Sequence, residues 1–271
     1  MDFGQARLHR STSSARLKGR FFAMEFWQFA IIIACLAGGG ILKGATGAGA
    51  PILAVPAIAM IFDVRLAVVV MMMPNLLTNL WQAWQFRRAR LPKEFLIGLA
   101  IAAAIGTSAG TLVLWALPTH FLGLIVAAAV FGYVGTRLFN PNWIVSYAQG
   151  LKLSIPMGFA AGMLQGASGV SAPVSLSFLN AMRMERATFI STVSILFAAM
   201  TAFQIPTLAV LGIASWYEMA LSVAALVPLI ASMPIGNMLA RRFSKEAFDK
   251  TILVFLSLLA LKLVYDFIVA L

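Results

Sequence analysis

Five stretches of this chain contain no Asp, Glu, Lys or Arg: residues 66–86, 95–136, 153–182, 187–217 and 219–240. A helix that spans a bilayer needs about 20 predominantly apolar residues, so several of these runs are long enough to cross one. Charged residues make up 11% of the 271-residue chain, against roughly 25% in soluble domains. A barrel would alternate apolar and polar residues over strands of about ten residues, whereas these runs are apolar on every side. The expected fold is an all-α polytopic membrane protein.

The formal net charge is +11, but the basic residues cluster at the ends of the apolar runs. That is the topology signal of membrane proteins rather than a basic face for a polynucleotide, so no nucleic acid partner is expected. The single cysteine, Cys35, permits no internal disulfide and no cysteine metal site. The opening "MDFGQARLHRSTSSARLKGR" holds five of the twenty Lys and Arg residues. It reads as a basic arm, a targeting segment, or translated sequence ahead of a start at Met24. Residues 1–23 are therefore set apart from the fold.

A second feature narrows the architecture. Residues 40–51, "GILKGATGAGAP", and 162–173, "GMLQGASGVSAP", align at a constant offset of 122. Lys43 falls on Gln165, Gly44 on Gly166, Thr46 on Ser168, Gly47 on Gly169 and Pro51 on Pro173; further on, Asn79 falls on Thr201 and Gln82 on Gln204. With a four-residue insertion in the second copy, Gly110 falls on Gly236. The chain divides into two repeats, 24–145 and 146–271, an organisation characteristic of secondary transporters. Loop 87–94 carries a net +3 while its counterpart 209–218 holds only Glu218; loop 241–250 carries a net +2 while 115–120 has no fixed charge. The bias swaps between copies, so equivalent loops are expected on opposite sides and the repeats to be inverted.

With the basic loops in the cytoplasm, single crossings fit 66–86, 95–115, 121–138, 188–208, 219–240 and 249–270, about eight to ten membrane segments in all once the hairpins are added. Segments 26–62 and 153–181 must then enter and leave on one side, each as a re-entrant or broken helical hairpin with arms of about 14 to 18 residues and a glycine-rich tip.

Irregular backbone at membrane depth lines a cavity or is buried in protein, which makes the tips candidates for a substrate site. Free N–H groups at the helix start after each tip would form an anion site, and two inverted hairpins would aim two such starts at each other. The candidate substrate-binding residues are Lys43, Gly44, Thr46, Gly47 and Gln82 in the first half and Gln165, Gly166, Ser168, Gly169 and Gln204 in the second. Lys43 is the only fixed cation far from a loop, where burial costs about 2.5–3.5 kcal/mol on insertion scales. The competing readings are close packing for the glycines, snorkelling for Lys43, and helix-to-helix bonding for the glutamines. Asp63, Glu185, Glu218 and Asp266 fall at segment ends, which leaves no carboxylate placed as a deep proton carrier. The Gly-Ala-Ser-Gly run at 166–169 also matches the nucleophile motif of intramembrane serine proteases. That chemistry needs a later histidine base, and the two histidines, His9 and His120, both come earlier. No catalytic residues, metal or cofactor are expected.

The glycine phrase leading into a proline-containing helix, its repetition, and the basic loop after the following helix together resemble the sulfite exporter TauE/SafE family, also called the 4-toluenesulfonate uptake permeases, over residues 24–271. The resemblance implies a multi-pass protein of the bacterial inner membrane that moves sulfite, sulfoacetate or an organosulfonate. Alternating access is the expected mechanism, with an anion channel, or a carrier for another small oxyanion or a carboxylate, as the alternative. The expected partners are a small anion and the lipid bilayer, with a homodimer as one oligomeric option. Lys43 stands ahead of Gly44-Ala45-Thr46-Gly47 here, and alanines thin the family's run of glycines.

Overall fold

The structure is a computed structural model that describes residues 25–139, 144–242 and 245–269. The basic segment 1–23 lies outside the described residues. Every regular element among them is a helix: α1 (Phe26–Thr46), α2 (Ala50–Ile61), α3 (Val64–Val70), α4 (Met72–Gln85), α5 (Lys93–Ala116) and α6 (Thr119–Phe139), then α7 (Tyr147–Ser168), α8 (Ala172–Ala181), α9 (Arg186–Val210), α10 (Trp216–Arg242) and α11 (Lys245–Val269). Six stretches among the described residues are long and apolar enough to cross a membrane: α1, α3 with α4, α5, α6, α9 and α10. The chain is a multi-pass membrane protein.

Apolarity on all sides has a simple origin in α5. Ile97, Ile101 and Ile105 are more than half exposed at four-residue intervals, a stripe that meets lipid. The opposite face, with Leu99, Ala103, Gly106 and Gly110, is inside the protein.

Each expected hairpin is present, α1 with α2 and α7 with α8, but its arms are unequal. The first arms have 21 and 22 residues and the second arms 12 and 10. At 1.5 Å per residue the first arms are about 32 Å long and the second arms about 15–18 Å; of the first arms, α1 is among the stretches apolar enough to cross a membrane. The expected run 66–86 is interrupted after Val70. Pro74 has no N–H for the carbonyl four residues back, and Ser222 of α10 serves the gap. Its Oγ donates to Val70 O at 2.9 Å and accepts from the Met73 N–H at 2.9 Å. Arg65, at the start of α3, donates to the carbonyls of Leu114, Trp115 and Leu117 at the end of α5, where the helix dipole favours a cation.

The packing is the same under exchange of the two halves. α1 packs along α10, and α7 along α5; α4 packs on α9 and α6 on α11. Glycines make the first two seams close. A Cβ at Gly40 would lie 2.1 Å from Leu229 O and one at Gly162 2.1 Å from Ala103 O. At Gly44 it would lie 2.1 Å from Met233 O, and at Gly166 2.2 Å from Thr107 O. Reciprocally, Gly236 faces Ile41 O at 2.0 Å and Gly110 faces Met163 O at 2.1 Å. Each of these three glycine contacts in one seam has its counterpart in the other. Each seam joins a helix of the first half to one of the second.

Candidate functional site

The glycine phrase builds the same turn twice. Gly47 and Gly169 sit at φ 84° and 74°, the left-handed region that favours glycine, and their N–H groups donate to Lys43 O and Gln165 O at 2.7 Å. Thr46 Oγ1 donates to Leu42 O at 2.9 Å and accepts from Ala48 N–H at 3.3 Å. Ser168 Oγ donates to Leu164 O at 2.7 Å and accepts from Val170 N–H at 3.2 Å. A hydroxyl has one hydrogen. In both copies it is engaged inside the turn, so Thr46 and Ser168 lock the tips in this conformation. Pro51 and Pro173 then open α2 and α8, where a missing N–H is harmless.

The two tips rest on different neighbours. A Cβ at Gly47 would lie 2.4 Å from Ile190 of α9, and one at Gly169 would lie 3.0 Å from Val68 of α3. Val68 and Ile190 are themselves equivalent at the offset of 122. Helix α9 serves as a ruler: Ile190 borders the first tip, while Gln204 Nε2 donates at 3.4 Å to Gln165 O, in the last turn before the second. Fourteen residues separate them, about 21 Å. The first tip rests on α9 of the second half, and the second tip rests on α3 of the first half.

What lies between the tips is a string of buried polar side chains. Lys43, in the last turn of α1, is 1% exposed, and its Nζ donates to Asn79 Oδ1 of α4 at 2.6 Å. Snorkelling is thereby excluded for this residue. Among the described residues no carboxylate lies within ion-pair distance of Lys43; the ion pair formed there is Lys262 with Asp266, far along α11. One turn beyond Asn79, Gln82 Oε1 accepts from Ser194 Oγ of α9 at 3.3 Å. Gln82 and Gln204 are both buried, and Gln204 Oε1 has no donor; neither does Asn75 Oδ1, and the hydroxyls of Ser191 and Thr192 are also without partners.

The candidate residues thus form two groups. Lys43 and Gln82 join through α4 with Asn79 and Ser194; Gln165 and Gln204 join ten residues farther along α9, about 15 Å away. Gly44 and Gly166 face neighbouring backbones, and Gly47 and Gly169 shape the turns. Asn79, which receives the Lys43 amine, has Thr201 as its counterpart, so the symmetry that marks Gln82 and Gln204 does not mark it. The available signal was the 75, 79, 82 spacing of amides, one face of a helix in an otherwise apolar run. Among the described residues no three His, Cys, Asp or Glu side chains gather as metal ligands.

A family model described as Sulfite exporter TauE/SafE matches residues 31–263. Comparison with curated proteins and with solved structures returned no match.

Proposed function

We propose, from the premise that this chain belongs to the sulfite exporter TauE/SafE family, a family of transporters and not of enzymes, that it carries a small sulfur oxyanion such as sulfite, sulfoacetate or an organosulfonate by alternating access across a bacterial inner membrane. The observation that carries this reading is Lys43, a fully buried amine with a neutral partner and no carboxylate beside it. An isolated buried ammonium is costly unless something pairs with it, and an oxyanion supplies both the missing charge and acceptors for the remaining N–H groups. Gln82, whose oxygen is occupied by Ser194, has its amide N–H groups left to donate. Gln165 and Gln204 form the equivalent station in the second half, and the glycine turns hold both stations in place.

The test is ligand-dependent stability. Sulfite at a hundred times its Kd should add about 2.7 kcal/mol to the purified protein, with phosphate and acetate as comparisons, and Lys43→Gln should lose most of that gain while remaining folded. Gln165 is the precedent for an amide at this position. An equal gain in Lys43→Gln would move the anion to another part of the protein.

Two inverted repeats, 24–145 and 146–271, support the two-state carrier. In favour are the swapped loop charges and the three glycine contacts that recur in each seam. In a Cys35→Ala background, a cysteine at Arg88 should be shielded from an impermeant external reagent and one at Ser215 should react. Labelling of both from one side would rule out the inversion.

A further inference from the structure

Lys43 is held by a side chain that is itself held. Asn79 lies four residues after Asn75 on α4, and its Nδ2 donates to Asn75 O at 2.7 Å while its Oδ1 accepts from Lys43 Nζ at 2.6 Å. The first bond fixes which end of the amide faces α1. Both side chains are sealed, at 1% and 0% exposure. Among the described side chains, the charged groups on the neighbouring elements are otherwise occupied: Arg186 of α9 donates to Ala45 O at 3.1 Å, and Glu218 of α10 accepts from the Ser215 N–H at 2.6 Å. The acceptor beside the amine is therefore an amide where an Asp of the same shape would fit. An Asp would pair with the ammonium and cancel it; Asn accepts the bond and leaves the charge.

We propose that Asn79 is the positioning and specificity-determining residue of the anion site, an uncharged anchor that fixes the Lys43 amine and keeps its charge for the transported oxyanion. The inference rests on Lys43 being the counter-charge of that anion. It deepens that reading by naming the residue that makes the lysine selective for anions rather than a member of an internal ion pair. A lysine carries three N–H bonds, and Asn79 takes one. The other two point the site toward a ligand with several oxygen acceptors.

The experiment compares the full-length parent, Asn79→Asp, Asn79→Ala and Lys43→Gln, with sulfite as the probe. Unfolding temperature without ligand, sulfite Kd, and flux into proteoliposomes are measured for each. Asn79→Asp gains an ion pair with Lys43 but loses the Nδ2–H bond to Asn75 O, so it should unfold near the parent temperature, yet bind sulfite at least about tenfold more weakly. Asn79→Ala leaves the charge but frees the amine, so KM should rise by about three- to tenfold with kcat nearly retained. A residue that merely joins helices would lower stability in both variants and leave Kd and KM unmoved. If Asn79→Asp binds sulfite within about twofold of the parent while Lys43→Gln has lost binding, Lys43 remains the counter-charge and the role of Asn79 is overturned. If Lys43→Gln also binds normally, the reading of Lys43 itself falls. Should Asn79→Asp fail to fold, Asn79→Ala decides alone, and an unchanged KM overturns the proposal.

Discussion

Replacing Gly44 or Gly166 by alanine, the smallest change available, is expected to destabilise the folded protein by about 1–3 kcal/mol or more. The new methyl at Gly44 would stand 2.1 Å from Met233 O and 2.9 Å from Met233 C; at Gly166 it would stand 2.2 Å from Thr107 O and 2.6 Å from Thr111 N. These are backbone atoms of a packed neighbouring helix. No rotamer can relieve such contacts, so α10 must back away from α1, or α5 from α7. In a bilayer, helix association relies on close packing because lipid offers no hydrophobic drive between helices, and a seam opened by an ångström loses contact along its whole length. Two controls separate this from a general cost of alanine. At Gly38 the added carbon would meet only Leu53 Cδ1 at 3.5 Å, and at Gly123 nothing within 4 Å. Gly123→Ala should be neutral or stabilising, since glycine inside a helix costs about 0.8–1.0 kcal/mol relative to alanine. Thermal unfolding of the detergent-purified variants reads the difference. If Gly44→Ala and Gly123→Ala unfold together, the seams are not the close contacts described.

The parts of this fold legible in the sequence are those written locally. Runs without charge marked the crossings, and the glycine phrases marked two hairpin turns, because αL geometry and a helix-opening proline are properties of a few adjacent residues. What was not legible depends on distant partners. The interruption after Val70 could be suspected from Pro74, but its repair by Ser222 joins residues 152 and 149 positions apart. The repeat offset pairs Gly44 with Gly166 without saying that each faces a helix of the opposite half. Nor does it give the arm lengths: arms expected to be similar are 21 and 22 residues long before the tips and 12 and 10 after them. For the site, Lys43 stood out as a lone cation in an apolar run, and its burial follows. Symmetry marks Gln82 and Gln204 but not Asn79, yet a binding site for a single charge has reason to break symmetry at the residue that holds that charge.

That asymmetry yields the sharpest reciprocal change. At the offset of 122, the pair Lys43 and Asn79 corresponds to Gln165 and Thr201. Gln165 is 3% exposed, and Thr201 Oγ1 is committed to Phe197 O at 2.8 Å. A lysine introduced at 165 would find no equivalent of the Asn79 amide at 201, though the undonated Gln204 Oε1 is an acceptor in the same group. Its insertion cost of about 2.5–3.5 kcal/mol is joined by repulsion from Lys43. At any separation beyond about 10 Å and an effective dielectric constant of 20 that repulsion stays below about 1.7 kcal/mol, so burial is the larger effect. Gln165→Lys should therefore unfold well below the parent without ligand. Sulfite should raise its unfolding temperature more than it raises the parent's, because the anion now offsets two unpaired charges, and the tighter complex should release more slowly in a vesicle flux assay. Adding Thr201→Asn recreates the anchor of the first half and should recover part of the lost stability, though not the portion due to charge repulsion. If Gln165→Lys is as stable as the parent in the absence of anion and transports at the parent rate, the second station does not share the buried polar string with Lys43, and the transported charge is carried past it by other residues.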